Sequence, residues 1–375
     1  MVPTTDSAET RFERYVDEIA TSVNHADRRK PLQAYLTGLL LPGERKSVEP
    51  MAALIDPRHV RARHQSMHHF VANAEWNDMA VLRIARTQVL DAMERHGAAA
   101  GWIIDDTGFP KKGRHSVGVT RQYCGVLGKQ DNCQVAVSLS IANEAVSVPA
   151  AYRLYLPEVW AKNSKRRAAA GVPKTVQFQT KWQIALDMID SVRADELPPA
   201  PVLADAGYGN VTAFRDALSE RQIPYVVGIG EETTVWPPGM EPIPPKQWSG
   251  KGRPPSRIRR SSGRQPASVI DLAKHAPAAL WKDVAWREGT RGKMTSRFFF
   301  LRVRPAHRDE NRHEPRDLEW LIAEWPKGEK EPTKFWLSTM PSDTSPEPLI
   351  RLAKIRWRIE RDYQELKGSF GLDHY

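Results

Sequence analysis

Three side chains near the end of the chain, Arg356, Glu360 and Lys367, stand at successive offsets of four and seven. On a helix, at about 100° per residue, they fall within roughly 40° of one another, a carboxylate flanked by two cations. Two further acidic positions lie upstream. Asp105 and Asp106 end the apolar run Gly101-Trp102-Ile103-Ile104, and Asp205 ends the run Pro201-Val202-Leu203-Ala204. Three carboxylates converging on one place repel unless cations neutralise them. A pair of Mg²⁺ ions, hard and oxygen-seeking, meets that need, with Mn²⁺ as a substitute. Two such ions about 3.5–4 Å apart activate a water or a 3′-hydroxyl and stabilise the leaving oxygen in an in-line displacement at phosphorus. Arg356 and Lys367 would then hold backbone phosphates beside the scissile bond. Each feature has a plainer reading alone: an i, i+4 ion pair on a surface helix, or an aspartate that caps a turn. The combination is what points to phosphoryl chemistry.

These residues need elements to position them. The two apolar runs that end in acid read as buried strands delivering carboxylates to a sheet edge. Asn132–Ser140 alternates apolar and polar residues and reads as another strand, as does Tyr225–Ile229. A helix is expected over Val176–Val192, around Trp182, Ile184, Ala185, Met188 and Ile189, and a second through Phe214 and Leu218. Strands alternating with helices predict an α/β sheet, and active groups in such sheets gather at strand ends and on adjoining helices. The terminal segment Ile350–Lys367 reads as one helix. Its Ile355, Ile359 and Leu366 dock on a core while the neighbouring face carries Arg356, Glu360 and Lys367.

The first hundred residues differ in character. Phe12, Tyr15, Val16, Ile19, Ala20 and Val23 follow helical spacing, and Leu32, Tyr35, Leu36, Leu39 and Leu40 repeat it before Pro42-Gly43. A third helix is expected from an Asn77 N-cap to a stop at Gly97. Between them, Arg61–Phe70 is basic and histidine-rich. It reads either as a DNA-contacting helix or as a solvated surface, and zinc-finger partner spacing is missing. Toward the other end, Gly250–Arg264 carries six cations and no acid. It reads as a mobile loop tracking phosphates or as a solvated linker. Phe298–Arg304, Leu318–Ala323 and Lys334–Ser338 read as strands. The expected organisation is a helical DNA-binding region over 1–97, a first core part over 98–232, a β-rich insertion with the basic loop over 233–333, and a second core part with the catalytic helix over 334–375.

Composition bounds the partners and the compartment. The chain of 375 residues has 55 Lys and Arg against 45 Asp and Glu, a formal charge of +10. That excess suits a polyanion, nucleic acid above all. The two cysteines, Cys124 and Cys133, are too few and wrongly spaced for a disulfide framework or a zinc knuckle. No leader pattern opens the chain and no apolar stretch approaches the ~18 residues of a membrane span. A cytoplasmic, nucleoid-associated protein is expected.

The sequence resembles the DDE transposases of bacterial insertion sequences, in the branch with a β-strand insertion before the catalytic glutamate. Asp105-Asp106-Thr107 matches that branch's D-x-T motif, and Val202–Gly209 matches its second acidic strand end. Arg356, Glu360 and Lys367 fit the Tyr, Arg, Glu, Lys signature, with Ala353 where the tyrosine stands. The resemblance covers nearly the whole chain. It implies a ribonuclease H-like core: a mixed five-stranded sheet flanked by helices, its first three strands antiparallel. It implies Asp105, Asp205 and Glu360 as catalytic residues and metal ligands for two Mg²⁺ ions, with Arg356 and Lys367 on DNA phosphate. It implies cutting of transposon ends in double-stranded DNA and their joining to target DNA, by a homodimer. Asp106 is the alternative first ligand. Glu365 lacks Arg and Lys at the signature spacings, so Glu360 is preferred. The chain stops shortly after Lys367 where such relatives generally continue, which implies truncation. A catalytically silent DNA-binding remnant acting as an inhibitor or regulator is therefore the alternative function, and a ribonuclease H-like nuclease with no role in transposition is a third.

Overall fold

The computed structural model describes residues 6–253, 255–261, 263–289, 292–309 and 312–371. The first five residues and the last four, on which part of the reading of the chain's start and stop rests, lie outside the described residues. Five helices come first: α1 (Ala8–Ala20), α2 (Arg29–Leu40), α3 (Val48–Ile55), α4 (Val60–Ala72) and α5 (Asp78–Glu94). Their starts follow local chemistry. Ser7 accepts a hydrogen bond from the Thr10 N–H, and Asn77 accepts from the N–H groups of Met79 and Ala80. Val16, Ile19, Val23, Leu32 and Phe70 form one buried cluster, and Ala34, Met51, Ala52 and Met67 another. Helix α4 spends its Met67 and Phe70 on these clusters and leaves Arg61, His68 and His69 exposed.

The central sheet starts with β1 (Gly101–Pro110), β2 (Thr120–Cys124), β3 (Lys129–Ala142) and β4 (Ser147–Leu154). The short helices α6 (Glu158–Ala161) and α7 (Ser164–Ala169) lead to α8 (Lys181–Ala194). Next come β5 (Val202–Ala204), α9 (Ala206–Gly209), α10 (Thr212–Glu220) and β6 (Tyr225–Ile229). Five of these strands lie in the order β4-β3-β1-β5-β6. Strands β1, β3 and β4 pair antiparallel, while β5 runs parallel to β1 and β6 parallel to β5. This is the mixed, helix-flanked, ribonuclease H-like arrangement. Helix α8 begins at Lys181, five residues later than its periodicity predicts, because Thr180 and Gln183 form a reciprocal capping box.

The segment after β6 does not fold into a separate sheet. It supplies β7 (Thr234–Trp236), β8 (Ala267–Ser268), helix α11 (Val269–Lys274), β9 (Trp281–Gly289), β10 (Gly292–Pro305) and β11 (Glu319–Trp325). Then β12 (Lys334–Ser338) pairs antiparallel with both β6 and β11, and β11 pairs with β10. Among the described residues the five-stranded core thus continues into one sheet of twelve strands. The pairing covers the β6 edge, which would otherwise offer unpaired N–H and C=O groups. The basic segment is anchored at its far end. Ile258 is buried, Ile243 bridges to Arg259, and Arg260 ion-pairs with Asp309 at 2.6 Å.

Two apolar layers sandwich the sheet. Ile104 faces one, with Ile184, Ile189 and Val192 of α8. Ile103 faces the other, with Leu203 and with Leu349, Ile350, Ile355 and Ile359 from the end of the chain. The expected single terminal helix is broken. It consists of α12 (Pro346–Lys354), a kink at Ile355-Arg356, α13 (Trp357–Gln364) and a π-helical turn over Glu365–Ser369. Burial of Leu349 and Ile350 alone contributes about 1.5–3 kcal/mol each to docking α12. Its Lys354 ion-pairs with the buried Glu324 of β11.

Candidate active site

Strand alternation separates the adjacent acids. Side chains two apart share a face of a strand. Asp105 therefore lies on the side of Ile103, and Asp205, two residues beyond Leu203, lies on that same side. It is the side on which α12 and α13 pack. Asp106 follows Ile104 toward α8. The parallel register Ile104↔Ala204 sets Asp105 and Asp205 next to each other at the ends of β1 and β5.

All the acids open on one cleft of about 900 Å³, lined by Asp105, Asp106, Asp205, Glu360, Arg356 and Lys367 among others. Arg356, at the kink, lies between two of them. Its Nη1 is 3.4 Å from Asp105 Oδ2 and its Nη2 is 4.0 Å from Glu360 Oε1. Nη1 is buried and makes no hydrogen bond. Asp205 Oδ1 accepts hydrogen bonds from the N–H groups of Gly207 at 2.9 Å and Tyr208 at 3.3 Å, so it also caps α9. That turn lies against β6: a Cβ on Gly209 would stand 1.9 Å from the Gly228 carbonyl oxygen, so only glycine fits. The π-helical turn aims Lys367 at the first motif. Its Nζ donates to Thr107 Oγ1 at 2.6 Å and to the Gly108 carbonyl at 2.9 Å. Single-turn π segments inside helices occur frequently at functional sites. Glu365 turns away and pairs with Arg361 at 2.7 Å. Ala353, in the signature's tyrosine position, is buried in the core.

Tyr208, Tyr363 and Lys181 also line the cleft, and none is singled out as a site residue by the sequence. Tyr208 follows closely on the Asp205 cap, and its hydroxyl is 3.5 Å from Asp106 Oδ1. Tyr363 hydrogen-bonds Ser138 of β3. Lys181 ion-pairs with Asp106. Tyr363 stands at i+3 from Glu360, a helical spacing that could have flagged it. The two cysteines are free and buried.

Burial pushes the Asp105 carboxyl up to about 6; the Arg356 guanidinium opposes this and the Asp205 charge reinforces it. Burial likewise pushes the Tyr208 and Tyr363 hydroxyls well above the ordinary phenol range. For Asp105 the consequence for stability has a definite sign. Between the unfolded value of 3.8 and about 6 the folded chain holds a proton that the unfolded chain has lost, so stability falls as pH rises through that window. The loss is on the order of 3 kcal/mol. Buried Glu319, raised to about 7, adds a loss of the same sign. Asp105→Asn should therefore be more stable than the wild type at pH 7 without divalent ions, and the gap should close toward pH 4. Urea titrations at the two pH values measure it; a gap independent of pH would contradict the assigned burial.

Among the described residues, no three His, Cys, Asp or Glu side chains stand close enough to hold a metal ion. The donor set still suits a hard divalent cation. It is all oxygen, with two aspartates on adjacent strands and a glutamate on a side chain 69% exposed. The guanidinium of Arg356, with its orphaned Nη1, stands in for positive charge between Asp105 and Glu360. No helix among the described residues is long and apolar enough to cross a membrane.

Over 166 residues, 44% of the chain, the sequence is 32% identical to the "Probable transposase for insertion sequence element IS701" of Microchaete diplosiphon. The match spans 40% of that relative's length. A family model described as DDE superfamily endonuclease matches residues 18–293, a span that takes in both strand-end aspartates. With well over half of its length so matched, the chain belongs to the DDE superfamily endonucleases.

Proposed function

We propose that this chain is a transposase that cuts the ends of an insertion element in double-stranded DNA and joins them to target DNA. One observation carries the reading: Asp105, Asp205 and Glu360 open on a single cleft together with Arg356 and Lys367. Asp105, Asp205 and Glu360 would hold two Mg²⁺ ions, and Mn²⁺ would serve as well. Bound there, the ions would supply an activated water or 3′-hydroxyl and a stabilised leaving oxygen. Asp105 is preferred over Asp106 because it shares a sheet face with Asp205, the face on which α13, the helix of Glu360, packs. Above about pH 6 its carboxylate is ionised and ready for a cation. Arg356 would leave Asp105 and Glu360 for a backbone phosphate, and Lys367, held beside Thr107, would take a neighbouring one. The helices of residues 6–97 would bind element DNA, with α4 presenting Arg61, His68 and His69, and two copies would act together on paired ends.

The test is incubation of the full chain with duplexes carrying the element's terminal inverted repeats and Mg²⁺. Nicking at the repeat boundary, followed by joining of the freed 3′ ends, is expected. Binding without cleavage would overturn the proposal in favour of a silent DNA-binding remnant. Cutting without preference for the repeats would point to a general nuclease.

The basic segment yields a narrower prediction. Arg259 Nε donates to the Pro244 carbonyl at 3.1 Å and Arg260 pairs with Asp309, whereas Arg253 and Arg257 are exposed. Replacing Arg253 and Arg257 with Ala should reduce the slope of log binding constant against log salt by about 2. An unchanged slope, measured by fluorescence anisotropy, would make the segment a linker.

A further inference from the structure

Asp105 and Asp106 are neighbours with different surroundings. Asp105 faces Arg356. Asp106 faces the first turn of α8, where its Oδ2 ion-pairs with Lys181 Nζ. Lys181 nevertheless lines the same cleft as the acids, and its side chain is one-third exposed. Resting on the DNA-cutting reading, we propose that Lys181 is a further DNA-phosphate anchor, on the wall of the cleft opposite Arg356 and Lys367. Asp106 is its internal competitor, holding the ammonium in place until a phosphate takes it over.

The needs of the helix itself do not account for a cation here. Lys181 is the first residue of α8, at the positive end of the helix dipole, where an anionic side chain is favoured and a cationic one is not. The helix start is already secured by the Thr180–Gln183 capping box, so Lys181 adds nothing to capping. Its Nζ lies 5.8 Å from the Tyr155 ring centroid, at the outer limit of a cation–π contact, so the ring holds the ammonium only weakly. Asp106 compensates the misplaced charge, but a partly exposed ion pair is weakly held. A DNA phosphate entering the cleft presents an anion to the same ammonium. When Lys181 turns to it, Asp106 keeps a donor in the Tyr208 hydroxyl, 3.5 Å from Oδ1. The pairing also explains why two acids stand side by side on β1: one faces the other catalytic acids and one governs a cation.

The test is equilibrium binding of the full chain to an element-end duplex in EDTA, where no cleavage occurs, across a range of salt. Lys181→Gln should weaken binding about 5–20-fold and lower the salt slope by about 0.9, the signature of one lost phosphate contact. Lys181→Arg should restore both. Asp106→Asn should tighten binding severalfold, because the ammonium is released from its competitor. A purely structural ion pair predicts the reverse, with Asp106→Asn weakening binding as much as Lys181→Gln. Wild-type affinity and slope in Lys181→Gln would also overturn the proposal. If Lys181→Gln loses its cooperative melt, Lys181→Arg and Asp106→Asn decide the matter. Binding by the wild type without cleavage in Mg²⁺ would sink the strand-transfer reading but not the anchor, which the slope alone judges. No salt-dependent binding at all would sink both.

Discussion

Asp205→Asn should reduce end cleavage by at least about 10³-fold while DNA binding stays near the wild-type level. The substitution is unusually clean. Asp205 Oδ1 accepts from the Gly207 and Tyr208 N–H groups, and an asparagine oxygen accepts equally well at an N-cap. The turn is retained, and only the negative charge beside Asp105 is lost. Glu360→Gln should behave the same way for a different reason, since that side chain is 69% exposed and supports no core packing. Cleavage within about tenfold of wild type in Asp205→Asn would reduce Asp205 to a cap. Single-turnover cleavage of a labelled element end, with binding measured in parallel, separates the two roles.

Lys354→Ala should destabilise the chain by about 3–5 kcal/mol, the cost of leaving a buried charge without its partner. Glu324 is 4% exposed in its side chain and its ion-pair partner is Lys354. The ammonium is also enclosed by aromatic rings, 4.6 Å from the Trp286 centroid, 5.4 Å from Trp336 and 5.6 Å from Phe298. Burial pulls the Lys354 pKa down and Glu324 pulls it back up, as expected for a cation retained by one strong contact. Because this pair ties α12 to β11, its loss should also displace the kink that carries Arg356 and with it Glu360. Cleavage should fail although none of the acids, nor Arg356 or Lys367, has been replaced. The double variant Lys354→Met with Glu324→Leu should recover most of the stability, since apolar replacement of a buried pair is commonly neutral or better. Urea midpoints for the wild type and the two variants check this; a Lys354→Ala variant with the wild-type midpoint would refute the assigned role.

The strand ends were legible because a long apolar run halted by acid marks a chain leaving the interior of a sheet at its edge. Which member of the Asp105-Asp106 pair joins Asp205 was not. Ile103 and Ile104 are both apolar because β1 is covered on both sides, so alternation carried no signal until the layers were known. The apolar spacing of Ile355 and Ile359 correctly marked a docking face, whereas Leu366, expected beside them, is only half-buried in the π-helical turn and joins neither layer. Spacing could not reveal the kink or the π-helical turn. Strand β4 went unread because Pro149, Ala150 and Ala151 have weak strand preference; pairing with β3 holds it. The contact between Lys181 and Asp106 joins residues 75 apart and leaves no mark in local periodicity.

The insertion's place in the sheet bears on how the chain can be divided. Two acids belong to strands before it and the third to a helix after it, while β12 meets β6 only once the excursion has returned. A backbone break anywhere between β6 and β12 would therefore part the acids between two polypeptides. On the proposed reading neither piece would cut alone, and reassembly would have to proceed by zipping β12 onto β6. Co-expressed halves should complement one another, and a surplus of either half should titrate the intact enzyme's assembly rather than its chemistry.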